Sequence, residues 1–403
     1  MFTGTPNTNF EILVGDHSAL AESPQISYFD SKVVEFLKEL SSTILSDGLS
    51  RTHGDVIAFA YWIRSSNLDS AVEKYTKEPN RTGYGMCMHI APSNVPLNFA
   101  YSLVCSLLAG NRNIVRVPSR IFPQVDFLLD RVRKILAIKE FQAVAHAVCI
   151  VRYERNDQIT RDLLAFSDLK IVWGGDNTVN QIRSIQTPAH CKEVVFPDRK
   201  SVSIIDEKSL LGLNEIDLFN LVNKFYTDTY LFDQNACSSP RIIFWISNPE
   251  NTFGKERFWS ALSTITVSKY VLEPRNLLLK FTELSKIIAT SNMKKNLGGP
   301  GELLSRFKYS ANGEPLSLQL TNRFGTFFEH DLANLDELVP ILDSGIQTVT
   351  YFGVEPARIV ELVIRHRIKA IDRIVPVGKA LDFDLIWDGY DLPRTLSRVV
   401  TFT

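Results

Sequence analysis

The sequence predicts an α/β protein made of two doubly wound parallel-sheet domains. Three observations lead there. From Met86 onward, short apolar runs alternate with amphipathic stretches, the pattern of a parallel sheet covered on both faces. Near residue 205 that rhythm breaks and begins again. The 403 residues, 45% hydrophobic and 22% charged, are enough for more than one globular core.

Residues 1–29 mix Pro, Asn, Thr and Ser with few periodic apolar positions and predict an extended arm or edge strand. Asp30 or Ser31 caps a helix whose Val33, Phe36, Leu37, Leu40 and Ile44 share one face, with Gly48 at its end. A second helix covers Val56 to Arg64. Met86–Ile90, Asn113–Val117, Ala147–Val151, Leu169–Trp173 and Val202–Ile205 read as buried strands. Pro96–Ala109, Pro123–Ile138, Gln158–Phe166 and Thr178–Ile185 read as the helices between them. After residue 205, Leu210–Tyr226, Phe253–Ser268, Arg275–Thr290 and Pro356–Arg367 predict helices. Arg241–Ile246, Gly325–Phe328, Val339–Leu342 and Gln347–Phe352 predict strands or short elements, and Asn296–Gly301 is a break. The expected domains are 1–205 and 206–375, with 376–403 as a tail that packs on the first domain or on a partner subunit.

The bulk numbers exclude several classes. A net charge of −1 gives no field for nucleic acid or an anionic membrane. The longest apolar stretch, Phe99 to Gly110, is too short to span a bilayer. Met1–Pro6 show no basic region followed by an apolar core, so no secretory signal is expected. Five scattered cysteines fit a reducing cytoplasm rather than a disulfide framework. No metal site is expected.

Five patches carry chemistry. Cys237 lies in Phe232–Pro240, amid small and polar residues, just before a buried strand. Such a loop holds a thiol rigidly and leaves room for a substrate carbonyl, so Cys237 is the candidate nucleophile. It still needs a helix terminus or a cation to favour the thiolate. Asn94, in Pro92–Pro96, is a candidate oxyanion donor, although an Asn between prolines also simply forms turns. A Gly-containing turn leads into the strand that carries Arg116, and Ser119 and Arg120 follow it, where the ribose of a dinucleotide could lie in a doubly wound sheet; a surface Arg pair is the plainer reading. Gly174–Gly175, between strand and helix, would let backbone approach a pyrophosphate. Asp372–Arg373 and Gly378–Lys379 fit either a salt-bridged hinge or a cleft lining.

Together these residues resemble the aldehyde dehydrogenase superfamily, and within it the fatty acyl-CoA (acyl-protein) reductases that supply aldehyde for bacterial bioluminescence. The resemblance runs from about residue 80 onward, most specifically in Pro92–Pro96, Asp233–Pro240 and Asp372–Gly378. It implies an aldehyde-dehydrogenase-like fold with the active site in the cleft between the domains. It implies that Asn94 and the backbone amide of Cys237 bind the oxyanion, and that Pro92, Arg116, Ser119, Arg120 and Gly175 line the cofactor.

The departures from the superfamily pattern are informative. Arg120 stands where a Glu would repel a 2′-phosphate, which favours NADPH over NADH. Phe196 stands where a hydrolytic dehydrogenase keeps its general-base Glu. Without that base, water is not activated against an acyl-enzyme. Asn322–Arg323, before Phe324–Gly325, lack the Glu that grips the nicotinamide ribose.

The expected activity is NADPH-dependent reduction of an acyl thioester, on CoA or a carrier protein, to an aldehyde through an acyl-Cys237 intermediate. His89 is a candidate proton donor, with a structural role as the plainer reading. A homo-oligomer is expected, and an acyl-activating enzyme is the candidate partner. The alternatives are a CoA-independent aldehyde dehydrogenase and a non-catalytic subunit of an acyl-activating complex.

Overall fold

The computed structural model describes residues 10–16, 20, 22–23, 26–78, 80–92, 94–247, 252–290, 296–298, 303–309 and 313–402. The chain divides into two units, residues 1–197 with 383–403, and residues 198–382.

In the first unit the described residues form a six-stranded sheet. Its strands are β1 (Glu11–Val14), β2 (Met86–Ile90), β3 (Arg112–Val117), β4 (Val148–Arg152), β5 (Leu169–Trp173) and β6 (Lys192–Phe196). The order is β1-β4-β3-β2-β5-β6. All strands are parallel except β1, which runs antiparallel along the edge of β4. Within the predicted arm, Glu11–Val14 is therefore an edge strand, and residues 1–9 lie outside the described residues. Helix α1 (Ser31–Ser46) starts at Asp30, whose carboxylate accepts from the Lys32 N–H at 2.9 Å. Val33, Phe36, Leu37, Leu40 and Ile44 are all buried, as their spacing predicts. Burying each such side chain contributes about 1.5–3 kcal/mol.

Helices α2 (Asn98–Leu108), α3 (Pro123–Leu136), α4 (Asp157–Leu164) and α5 (Asp176–Ser184) connect the parallel strands. α2 begins two residues later than predicted, because Pro96 and Leu97 form the turn before it. Helix Ser65–Tyr75 and strand β6 escape the sequence reading. β6 has two exposed or half-exposed residues before Val194, which blurs its apolar run.

In the second unit the described residues form a seven-stranded sheet. Its strands are β7 (Lys200–Asp206), β8 (Pro240–Ile246), β9 (Asn296–Gly298), β10 (Ser305–Lys308), β11 (Thr326–Leu332), β12 (Ile346–Phe352) and β13 (Arg373–Pro376). The order is β9-β10-β11-β8-β7-β12-β13, parallel except for β9. Helices α6 (Glu215–Tyr230), α7 (Phe253–Lys269), α8 (Pro274–Thr290) and α9 (Pro356–Arg365) accompany it.

Two expectations need correction. β7, placed by the sequence at the end of the first domain, hydrogen-bonds into the second unit's sheet between β8 and β12. Val339–Leu342 is not a strand but the turn that follows a short 3-10 helix, Leu335–Leu338. Asn296–Gly298, read as a break, pairs with β10, and residues 299–301 lie outside the described residues. No helix among the described residues is long and apolar enough to cross a membrane.

Candidate active site

Cys237 lies at the amino-terminal edge of the second sheet, in the loop between α6 and β8. It is partly buried, whereas Cys87, Cys105 and Cys149 are buried in the first unit. Burial pushes the Cys87, Cys105 and Cys149 thiols up, Cys149 to about 12. Burial also raises the partly buried Cys191. None of these four has the setting of a nucleophile.

The Cys237 loop is clamped by its own sequence. Asp233 (φ 54°) and Gln234 (φ 57°) both adopt the left-handed region, which costs energy for a non-glycine residue and persists only when the surroundings hold it. Gln234 supplies that hold. It is fully buried. Its Oε1 accepts from the Gly325 N–H at 3.0 Å and the Thr326 N–H at 3.2 Å. Its Nε2 donates to the carbonyls of Pro240 and Thr326, both at 3.2 Å. The amide thus ties both ends of the nucleophile loop to the start of β11. Gly325 (φ 71°) has to be glycine, since a Cβ there would stand 2.2 Å from the Leu303 carbonyl oxygen. The Asp233 carboxylate accepts from Tyr270 Oη and from Asn276 Nδ2.

Beneath the loop lie two cations. Arg241, the second residue of β8, is buried, and its guanidinium donates to the carbonyls of Gln234 (3.0 Å), Leu320 (3.1 Å) and Asn322 (3.1 Å). Burial pulls it down to about 10, while Asp198 and Cys237 act in the opposite sense. Lys200, at the start of β7, pairs with Asp198 at 2.6 Å. Its ammonium is lowered by burial and then by Arg241, and raised in part by Asp198 and Cys237. Next to it, Ser201 Oγ donates to the Cys237 carbonyl at 2.7 Å and accepts from the Thr348 N–H at 3.2 Å. Gln234, Arg241, Lys200 and Ser201 escaped the sequence reading. The signal was present in one of them: a charged residue heading the otherwise apolar run Ile242–Ile246 needs a buried partner.

The first unit gathers the predicted cofactor residues. Its strand order reverses around β2, which has β3 on one side and β5 on the other. Dinucleotides bind at such a reversal, outside the carboxyl ends of the strands. The loop after β2 carries Pro92 and the exposed Asn94, and the turn after β5 carries the exposed Gly175. No side chain caps α5, so its first N–H groups are available to another acceptor. Ser119 and Arg120 are exposed just beyond the end of β3, and the Arg120 guanidinium lies over the Phe122 ring at 4.8 Å. These residues fit a nicotinamide dinucleotide. Arg116 points elsewhere: it lies over the Tyr153 ring at 4.6 Å and donates to the Tyr153 carbonyl at 3.3 Å.

His89 takes the plainer of its two readings. It is fully buried, with Nδ1 2.7 Å from Ser102 Oγ and Nε2 2.9 Å from Asn113 Oδ1. Burial lowers it to about 4, so it is a neutral core residue at neutral pH and not a proton donor. Phe196 is buried, and its ring stacks on Trp173 with centroids 3.6 Å apart. Asn322 is buried and donates to the carbonyls of Arg241 (2.9 Å) and Thr326 (2.6 Å), while Arg323 pairs with Glu283. Both serve the loop's own framework. The Asp372–Arg373 patch is structural too. Asp372 pairs with Arg199, and Arg373 donates to the Ala380, Lys379 and Asp382 carbonyls. The buried Asp228 of α6 accepts from the N–H groups of Gly378 (2.6 Å) and Ala380 (2.9 Å).

Two largely parallel sheets, each covered by helices, with a strand reversal in the first, make an aldehyde-dehydrogenase-like fold. Solved structures agree on the fold. A 1-pyrroline-5-carboxylate dehydrogenase of Thermus thermophilus is similar with a TM-score of 0.62 at 12% identity, covering 96% of this chain and 83% of that one. PnpE, solved in complex with nicotinamide adenine dinucleotide, is similar with a TM-score of 0.58 at 14% identity, covering 86% of this chain and 78% of that one. Within that class, the chain belongs to the acyl-CoA reductase (LuxC) family, which matches residues 16–400. Its relatives include long-chain acyl-protein thioester reductase 2 of Photobacterium leiognathi, 22% identical over 328 residues, 79% of this chain and 63% of that protein. The long-chain acyl-protein thioester reductase of Photorhabdus luminescens is 21% identical over 326 residues, again 79% and 63%. The chain thus spans less than two thirds of the length of these curated relatives.

Proposed function

We propose that this chain reduces an acyl thioester, carried on CoA or on a protein, to an aldehyde through an acyl group held on Cys237, with NADPH as the reductant. The observation that carries this reading is the clamped, partly buried Cys237 loop above Arg241 and Lys200. Family membership and the names of the relatives support the choice of substrate.

The Cys237 thiolate attacks the thioester carbonyl carbon. The new C–S bond forms, the bond to the carrier sulfur breaks, and the carrier leaves as a thiolate that takes up a proton. When bound, NADPH supplies a hydride to the acyl carbon. The carbonyl oxygen takes up a proton, giving a thiohemiacetal on Cys237. Loss of that proton and cleavage of the C–S bond release the aldehyde and return the cysteine. The Cys237 backbone amide stabilises the oxyanion, and Asn94 enters as a second donor on the strength of the resemblance. Each such donor is worth roughly 3 kcal/mol.

Phe196 supports reduction over hydrolysis. Where, by the resemblance, a hydrolytic dehydrogenase keeps a carboxylate, this chain has an aromatic ring stacked on Trp173, which cannot activate water. Pro92, Ser119, Arg120 and Gly175 are the residues proposed to hold the dinucleotide, with Arg120 offering a charge to a 2′-phosphate.

The decisive experiment is mass spectrometry of the Cys237 peptide after exposure to a panel of acyl-CoAs, alongside assay of aldehyde formation. Wild type becomes acylated and forms aldehyde, and Cys237→Ala does neither. Retained turnover in Cys237→Ala would refute the reading.

A further inference from the structure

Phe196, His89 and Asp233 each fall short as a base for the proposed chemistry. Phe196 has no proton acceptor, His89 is sealed in the first unit's core, and the nucleophile loop itself contributes Asp233, whose carboxylate already accepts from Tyr270 and Asn276. A thiol also reaches its anionic form beside a standing cation.

The geometry beneath the loop supplies one. Arg241 is a buried guanidinium that donates to three backbone carbonyls, and among the described residues no carboxylate lies within ion-pair distance of it. Its Nε is buried with no hydrogen-bond partner. A buried charge left this way is costly, and proteins usually match it with an opposite charge. One of its carbonyl acceptors, Gln234, lies three positions before Cys237 in the clamped loop. Lys200 flanks the loop from the neighbouring strand, next to Ser201, which fixes the Cys237 carbonyl at 2.7 Å. Cys237 lies within electrostatic reach of both cations.

We propose that Arg241, with Lys200, provides the standing positive charge that keeps Cys237 a thiolate, so that the nucleophile needs no proton acceptor. This rests on the reading of Cys237 as the acyl acceptor. Neither cation touches the substrate; both act through the sulfur. The arrangement also accounts for the cation being Arg at the deeper position. A guanidinium can fill three carbonyls and stay charged under burial, whereas an ammonium would lose its proton more readily. It fits Lys200 carrying a carboxylate partner at 2.6 Å while Arg241, with no carboxylate within ion-pair distance among the described residues, is the charge left for the thiolate.

The test is the pH profile of Cys237 alkylation by iodoacetamide in the full chain, read on the Cys237 peptide by mass spectrometry. Because only the thiolate reacts, each unit by which its ionisation midpoint rises slows alkylation about tenfold at pH values below that midpoint. Arg241→Gln and Lys200→Met are each expected to move the profile to higher pH and slow alkylation at pH 7. Lys200→Arg is expected to keep the wild-type profile. Alkylation of the two charge-removing variants should recover at high pH, where the thiol ionises unaided, and the Gly325 amide, held by Gln234 in the folded loop, should stay protected from hydrogen exchange, a protection that loop disorder would remove. Lys200, at the start of β7 and with its ammonium paired to the exposed Asp198, covers the case in which Arg241→Gln fails to fold. A wild-type profile in any folded variant lacking one of the two charges overturns the proposal. A wild-type protein with a low alkylation midpoint that neither an acyl-CoA nor an acylated carrier protein acylates would sink the reductase reading and leave this one standing.

Discussion

Replacing Gln234 by Ala tests whether the amide clamp sets the nucleophile loop. The side chain makes four hydrogen bonds to backbone groups, at 3.0–3.2 Å, from a fully buried position. Not all four partners would be stranded. The Thr326 carbonyl keeps Asn322 Nδ2 at 2.6 Å, and the Thr326 N–H keeps the Arg323 carbonyl at 3.2 Å. The Gly325 N–H and the Pro240 carbonyl lose their Gln234 bonds, and each buried group left unpaired costs about 1–3 kcal/mol. The void left by the amide adds to this, so the second unit should lose about 3–5 kcal/mol. Partial relief of the left-handed backbone at residue 234 would offset about 1 kcal/mol of that. Urea denaturation reports the stability, and hydrogen exchange at the Gly325 amide reports the local loss. Aldehyde formation should fall about a hundredfold, because a displacement of roughly 1 Å at a nucleophile has that effect. A stability loss below about 1 kcal/mol, with the Gly325 amide still protected, would refute the clamp.

Two further outcomes follow from other sites. Burial pushes the Asp228 carboxyl up to about 7, above the usual value near 3.8, with the N–H groups of Gly378 and Ala380 pulling against it. The folded chain therefore binds a proton more readily than the unfolded one. Stability from this group is full below about pH 4 and is lost as pH rises towards 7, by about 1.4 kcal/mol per unit and on the order of 4 kcal/mol in all. Denaturation curves of wild type and Asp228→Asn across that range should show this decline in the wild type alone; parallel curves would refute it. Arg120→Glu should shift cofactor preference from NADPH towards NADH, read as the ratio of kcat/KM for the two. An unchanged ratio removes Arg120 from the cofactor argument.

The parallel strands were legible because burial on both faces makes them continuous apolar runs, as in Met86–Ile90 and Leu169–Trp173, whose bounds match the sequence reading to the residue. Edge and half-exposed strands such as β6 were not, since solvent on one side interrupts the run. Cys237 was legible from its small, polar neighbours ahead of a buried strand. Its support was not. Gln234 works through carbonyls and N–H groups from residues 240, 325 and 326, which are brought to it only by the pairing of β8 with β11. The two roles open for His89 were also separable only in space, since Ser102 and Asn113 reach it from α2 and β3. The unit boundary was misplaced because β7 is as apolar as the strands before it, and a strand's own residues do not say which sheet it joins.

The first unit is assembled from two stretches of chain, and this has a consequence for how it is made. Trp387, Leu392 and Leu396 share a core with Cys87, Leu169 and Trp173. Asn111 donates to the Leu396 carbonyl at 2.9 Å, and Ser397–Val399 pairs with Arg81–Gly83. During synthesis, that core stays open until the residues near 396 have left the ribosome. The second unit, drawn from one unbroken run of 198–382, is under no such delay. It is thus the unit able to finish first, although it is encoded second, and nascent chains halted near residue 380 should expose the apolar residues that Trp387, Leu392 and Leu396 normally cover.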